Sequence, residues 1–497
     1  MIYENFINGK WVAAGSGKTF DSLNPATGEV VGRCADSGLE EVNAAVNAAK
    51  NAFDSWRRMP APRRGEILFR VAERLMVAKE ELARVVTSEM GKVLTEGRGD
   101  VQEAIDMAYY MGAEGRRQFG QVVPSELPDK AAHCVREPLG VAGLITPWNF
   151  PIAIPSWKMF PALILGNTVV LKPSPETPIC AARFVKVLED CGMPPGVVNL
   201  VLGQSPKLGE WLVGHEDVAV ISFTGSTITG GKVAEETARR YKRVALEMGG
   251  KNAIIVMDDA DLDLAVDGIV WSAFGTTGQR CTACSRLIVQ EPVKQQLTKK
   301  LLARIAKLRV GNGLAPDTDM GPLVNQAQLQ RVQERVRLAQ KEGAKLVTGG
   351  KPLASGDYAK GYFYEPTLFD EVTPTMQLAQ EEVFGPVLGI LEVKDLDEAI
   401  RVNNHVKYGL STSIYTQDIN RSYRAMKDIQ TAIVYVNAGT IGSEVHLPFG
   451  GMRQTGNGHR EAGQAALDTF SEWKTIYVDY SGRLQRAQID THDKGAG

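Results

Sequence analysis

The sequence predicts an α/β protein organised around a doubly wound parallel sheet, followed by a second α/β unit. Three observations carry that expectation. From Val141 onward, short apolar runs alternate with helical patterns: VAGLIT, NTVVLK, VAVISFT, NAIIVM and RLIVQ. Polar or glycine-rich motifs follow several of these runs directly, where sheets of this kind bind ligands. At 497 residues the chain also exceeds one ordinary domain, since ~100–200 residues per domain gives two or three.

Composition narrows the class. Hydrophobic residues make up 44% and charged residues 23%, the balance of an ordinary globular chain. A net charge of −2 gives no electrostatic reason to expect nucleic acid or a membrane as partner. No apolar run reaches the ~18 residues of a membrane span, and the N-terminus has no basic-then-apolar leader pattern. Six cysteines (Cys34, Cys134, Cys180, Cys191, Cys281 and Cys284) do not make a disulfide framework in so long a chain. They fit a reducing, cytoplasmic setting.

In order, a short β-like segment leads into a turn at Asn24 to Glu29. Ser37 and Glu40 have capping-box spacing ahead of an apolar-periodic run to Trp56, which Pro60 and Pro62 end. Two further helical stretches follow, residues 63–90 with a break and residues 95–115, separated by Gly91. Residues 120–138 change character: prolines and a thin apolar face fit a disordered loop, a hairpin or an arm packed on another subunit. The β/α alternation then starts. Its first three runs are followed by PWNFP, by a helix from about Ile179, and by a helix opening near Thr229. After NAIIVM and RLIVQ, residues 293–345 are helix-rich, interrupted by the loop GNGLAPDTDMGPLVN.

Chemistry concentrates in a few motifs. In GTTGQRCTACSR, residues 275–286, Gly275 and Gly278 allow close approach of the backbone to a ligand. Gln279 and Arg280 there bring polarity and positive charge to Cys281, the setting a reactive thiolate needs. In LEMGGKN, Glu247 ends an apolar strand beside Gly249 and Gly250; partial desolvation makes such a carboxylate a candidate general base. Singly, Cys281 is better explained as a small buried hydrophobe and Glu247 as a surface strand end. Lys172, ending VVLK, is a charge in need of a partner that a ribose or phosphate would supply. Gly225, Ser226 and Thr227 set NH groups and hydroxyls near a helix N-terminus, suited to pyrophosphate, although Ser and Thr cap most helices. No GxGxxG follows a strand. Cys281 and Cys284 form a CxxC without further ligands, so no metal site is expected, and Cys284 reads as a core residue one helical turn on.

GQRC and EMGGKN, with PWNFP, EEVFGPVL and HLPFGGMRQTGNGHREAG, resemble the NAD(P)-dependent aldehyde dehydrogenase superfamily over nearly the whole chain, in order and at spacing. The resemblance implies a dinucleotide-binding domain over residues 1–119 and 139–249 and a catalytic domain over 250–467. Residues 120–138 and 468–497 would form a small β oligomerisation arm, giving a homodimer or homotetramer. Cys281 would attack an aldehyde to give a thiohemiacetal, Asn149 would hold the oxyanion, and Glu247 would activate water to hydrolyse a thioester. Thr146, Pro147, Trp148, Lys172, Gly225, Ser226, Glu382 and Phe384 would contact the cofactor, and Glu472 would be an auxiliary proton acceptor. The cofactor is expected to be NAD, with NADP left open because Pro175 stands where many NAD-specific members have Glu. The loop at residues 437–451 resembles that of the aminoadipic and ketoglutaric semialdehyde dehydrogenases, which implies carboxylate recognition by Arg280 and Ser443. If Arg280 instead turns into an ion pair, for example with Glu444, the tunnel would take neutral aliphatic or aromatic aldehydes. Other readings are an acyl-phosphate reductase and an inactive structural relative; retention of Glu247 argues against coenzyme A acylation.

Overall fold

The computed structural model describes residues 2–488; the end of the expected arm, residues 489–497, lies outside the described residues. Two seven-stranded sheets dominate. The first runs in the order Arg243–Glu247, Val218–Thr224, Val141–Ile145, Thr168–Lys172, Val198–Leu200, Asn5–Ile7 and Lys10–Val12. Its first five strands are parallel, and the two N-terminal strands extend it antiparallel. The chain steps outward from Val141–Ile145 to Val198–Leu200, then crosses back to lay Val218–Thr224 on the other side. That reversal opens a crevice at the C-terminal strand ends between Val141–Ile145 and Val218–Thr224.

Both faces of this sheet are covered, which is why its strands read as continuous apolar runs. Val169 and Leu171 pack into a large core with the helices Ala61–Met90, Leu94–Glu114, Ala153–Leu165 and Pro178–Asp190. Val170 faces the opposite core, with Val42, Val46, Leu208 and Leu212. The second sheet, Lys345–Thr348, Thr367–Asp370, Val387–Val393, Cys284–Gln290, Asn252–Val256, Ser411–Tyr415 and Ile433–Val436, is parallel except at its first strand. Ile255 points into one core and Ile254 and Val256 into the other.

A third sheet joins the two polar ribbons. Ser471–Asp479 pairs antiparallel with Lys130–Pro138 along its whole length, and Gln121–Pro124 closes the far edge. Val122, Val123, Tyr477 and Val478 on this sheet are exposed.

Three local expectations are corrected. The first helix, Leu39–Arg58, is capped by Gly38, whose backbone NH donates to Glu41, while Ser37 Oγ donates to Asn5 Oδ1. The expected break after residue 63 is missing: Ala61–Met90 is one helix, because a buried stripe from Ile67 through Leu75 and Leu82 to Met90 runs unbroken until Gly91 takes a left-handed φ of 92°. Cys284 does not lie on a helical turn; it begins a central strand, fully enclosed.

Candidate active site

Glu247 and Cys281 meet where the two sheets face each other. Glu247 is the last residue of its strand and only 4% exposed. Cys281 lies just before the strand Cys284–Gln290, at the N-terminal edge of the second sheet. It is delivered by a strained turn in which Thr276, Thr277 and Gly278 adopt φ values of 52°, 58° and 68° in succession. Such a run costs ~1–3 kcal/mol per non-glycine residue and persists only when its surroundings enforce it. Here they do. Thr276 N donates to Glu96 Oε1 at 2.7 Å, and Thr277 Oγ1 donates to the Gly321 carbonyl at 2.9 Å. A Cβ on Gly278 would lie 2.2 Å from the Gly385 carbonyl oxygen, so no other residue fits. The buried Gln279 side chain donates to the carbonyls of Thr276 and Pro322 and accepts from Val324 N. Asn252 Nδ2 holds the Cys281 carbonyl at 2.7 Å. Asn149 Nδ2 donates to the Gln279 carbonyl at 3.1 Å, which leaves its second N–H unused beside the thiol's loop.

The electrostatics of this centre are acidic. Burial, then the neighbouring Glu382 and Glu247, push the Cys281 thiol up to about 12. Burial and the nearby Glu461 hold Glu247 well above the usual carboxylate range. Both shifts favour the neutral forms of the thiol and the carboxyl. Lys158, fully buried on the helix Ala153–Leu165, donates to Ser222 Oγ at 2.9 Å and forms an ion pair with Glu461. The neighbouring charges that favour the ionised form of Glu247 are Lys158 and Arg460.

A pocket leads to the thiol. Phe150, Ile154, Trp157 and Phe449 make its apolar wall, and Arg280, Ser443, Glu103, Glu247 and Glu461 its polar positions. Arg280 lies over the Phe150 ring at 5.5 Å. Its Nε donates to Thr276 Oγ1 at 2.8 Å and its Nη2 to Glu96 Oε1 at 3.0 Å. Two of the five N–H donors of the guanidinium are thus engaged, and three remain. Ser443 Oγ lies 3.3 Å from Tyr435 Oη.

A larger cleft opens at the crevice of the first sheet. Thr146, Pro147, Trp148, Lys172, Gly225 and Ser226 all line it. Ser226 Oγ accepts from Thr229 N and so caps the helix Thr227–Ala238, which begins two residues earlier than expected. Glu382 and Phe384 stand at the far side of Trp148. The Phe384 ring meets Trp148 edge-on at 5.4 Å, and Glu382 accepts from Gly250 N at 3.2 Å. The cleft suits a polyanionic dinucleotide on two counts. The Thr146 and Thr224 hydroxyls lack any hydrogen-bond partner although buried. Lys172 has no anion beside it, and burial lowers its ammonium to about 8.

A thiol, a buried carboxyl, an amide donor and a dinucleotide-shaped cleft at one junction is the arrangement that similarity now names. The aldehyde dehydrogenase family model matches residues 11–476. The chain belongs to the aldehyde dehydrogenase family. It is 42% identical to the alpha-ketoglutaric semialdehyde dehydrogenase of Bacillus subtilis (strain 168) over 477 residues, covering 96% of this chain and 98% of that protein. It is 41% identical to the 2,5-dioxopentanoate dehydrogenase of Saccharolobus solfataricus, covering 94% and 98%. Among solved structures, a betaine aldehyde dehydrogenase from Staphylococcus aureus in complex with NAD+ superimposes with a TM-score of 0.95 at 34% identity, covering 97% and 95%. This chain is an NAD(P)-dependent aldehyde dehydrogenase.

Two expectations about this aldehyde dehydrogenase change. Glu472 is on the arm, largely exposed and paired with Arg243; the carboxyl beside Glu247 is Glu461, in the glycine-rich loop. The charge of Arg280 is already paired, because Glu96 and Thr276 hold its guanidinium, and among the described residues it forms no ion pair with Glu444. Lys158, Glu461, Glu96 and Glu103 were missed. For Lys158 a signal existed, a lone charge in the apolar run AIPSWKMFPALIL. Among the described residues, no group of three or more His, Cys, Asp or Glu is placed to hold a metal, and no helix is long and apolar enough to cross a membrane.

Proposed function

We propose that the enzyme oxidises an acidic ω-semialdehyde of about five or six carbons to the dicarboxylate. The observation that carries this is Arg280, which keeps three N–H donors over a pocket that ends at Cys281. Ser443 offers a hydroxyl in the same pocket. The relatives named for 2-oxoglutaric and 2,5-dioxopentanoic substrates act on aldehydes of this kind.

In this reading Cys281 is the nucleophile, and its thiol proton passes to ionised Glu247 as sulfur adds to the aldehyde carbon. The free N–H of Asn149 and the Cys281 backbone NH hold the oxyanion; one such donor is worth about 3–4 kcal/mol in the transition state. When bound, the nicotinamide supplies the acceptor for the hydride leaving that carbon, and a thioester remains on Cys281. Glu247 then takes a proton from water, which attacks the thioester and releases the acid and the thiol. Lys158 and Glu461 sit where a proton leaving Glu247 needs an exit. The cofactor would be held by Thr146, Pro147, Trp148, Lys172, Gly225 and Ser226, with Glu382 and Phe384 at the nicotinamide end.

NAD is the proposed cofactor, with NADP also admitted. Pro175 lines the cleft and burial plus Asn325 occupy Glu176, so no carboxylate from that turn faces a 2′-phosphate. The exposed three-stranded arm is proposed as the contact surface of a homodimer or homotetramer. Six free cysteines support a cytoplasmic setting.

The test is reduced-cofactor absorbance with 5-oxopentanoate, pentanal and benzaldehyde, each with NAD and NADP. 5-Oxopentanoate should have the highest kcat/KM. Glu247→Gln should give one rapid equivalent of reduced cofactor and then slow turnover, and Cys281→Ala none. Benzaldehyde or pentanal preferred, or turnover retained by Cys281→Ala, would refute the reading.

A further inference from the structure

Glu103 stands in the substrate pocket and has no role in the chemistry just described. It lies on the helix Leu94–Glu114, half-buried, and its carboxyl lines the pocket with Arg280, Phe150, Ile154 and Ser443. Among the described residues its side chain has no hydrogen-bond or ion-pair partner. Every other charged group around it is already committed. Lys92 and Asp100 make a fully buried pair at 3.1 Å, and the Lys92 ammonium also sits 3.7 Å from the Phe150 ring centre. Asp100 further accepts from Ile152 N and Ala153 N, fixing the start of the next helix. Asp106 accepts from Gln102 Nε2 on the outer face. Arg280 is paired with Glu96, and Glu461 with Lys158.

Charge bookkeeping then decides the state in which the pocket takes an anion. Arg280 and Glu96 cancel. An ionised Glu103 would leave a lone carboxylate facing the place where a substrate carboxylate must sit, in a narrow and poorly solvated space. A protonated Glu103 is instead a donor, and O–H···O⁻ hydrogen bonds are among the strongest available to a side chain.

We propose that Glu103 is a specificity-determining residue of this enzyme, which in its protonated form donates a hydrogen bond to the distal carboxylate of the substrate alongside Arg280. This rests on the acidic-semialdehyde reading of the pocket. Burial, then the neighbouring Asp100, raise the Glu103 carboxyl to about 8, with Lys92 and Arg280 opposing and Asp106 adding to the rise. The sign follows. Below about pH 8 the donor is present; as pH rises through that value the proton is lost and Glu103 repels the substrate's anion. An arriving carboxylate strengthens the hold on the proton further, as when two carboxyl groups share a site.

The experiment is the ratio of kcat/KM for 5-oxopentanoate to that for pentanal, followed from pH 6.5 to pH 9.5 with saturating NAD. Both aldehydes use the same thiol, base and oxyanion donors, so the ratio cancels their titration and reports the distal group. In the wild type the ratio should be constant below about pH 8 and fall by about tenfold per pH unit above it, the slope of one proton. In Glu103→Gln, which keeps a donor but cannot ionise, the ratio should not change with pH. Thermal unfolding and NAD binding of the variant check that it is folded, and the wild-type profile needs no variant at all. Pentanal, or an ω-trimethylammonio aldehyde, preferred at pH 6.5 would overturn the substrate reading and this proposal with it. 5-Oxopentanoate preferred with a pH-independent ratio, or with the same decline in Glu103→Gln, would overturn the role of Glu103 alone.

Discussion

Arg280→Met separates two functions that the structure places in one guanidinium. The first is recognition: three N–H donors of this pocket-lining residue remain uncommitted, and losing a charge-assisted hydrogen bond to a carboxylate costs about 1.5–3 kcal/mol, or about 10–100-fold in KM for 5-oxopentanoate. The second is support of the catalytic turn. Arg280 and Glu96 are 11% and 14% exposed at their side chains, and Glu96 Oε1 also holds Thr276 N in its left-handed conformation. Breaking a buried pair from one side costs about 3–5 kcal/mol, and the residual exposure of this pair places it toward or below the lower end. That cost loosens the turn before Cys281, so kcat should fall for pentanal as well. A double variant, Arg280→Met with Glu96→Gln, removes the stranded charge while keeping an acceptor for Thr276 N. It should recover kcat on pentanal but leave KM for 5-oxopentanoate elevated. Steady-state kinetics of the wild type, both single variants and the double variant on the two aldehydes give the coupling. Recovery of the 5-oxopentanoate KM in the double variant would refute recognition by Arg280. Equal losses on both aldehydes in all variants would refute it too.

Two further outcomes follow from the same structure. Glu461→Gln removes the charge that raises Glu247 and strands Lys158 beside it, so the alkaline-rising limb of kcat should move to lower pH while the rate drops. Glu472→Gln, exposed on the arm, should leave the profile in place; the reverse pattern in the two pH–rate curves would sink the assignment. Truncation before Thr475 deletes most of the strand paired with Lys130–Pro138 and should reduce the oligomer to smaller species in sedimentation, whereas an active oligomer of unchanged mass would exclude the arm as the interface.

The sequence by itself determined the alternation of the first sheet and the strand-end positions of Glu247 and Lys172. Each of those depends on local pattern: an apolar run of strand length, a glycine or proline that stops it, a charge placed where the run ends. The long helix Ala61–Met90 was legible in its period but not in its continuity, because only its burial against Leu94–Glu114 shows that no break is needed. What tertiary structure alone decided is which charges meet. Glu461 and Glu247 are separated by more than two hundred residues, as are Glu103 and Ser443, and each meets the other's surroundings only because the glycine-rich loop and the helix Leu94–Glu114 both close on the junction of the sheets. Arg280 carries the same lesson. Its place next to Cys281 in the chain suggests a charge on the thiol, but a carboxylate from the helix Leu94–Glu114, Glu96, lies within 3.0 Å of the guanidinium and sets its direction. Adjacency in sequence fixes where a side chain starts; the partner that desolvates with it fixes where it points.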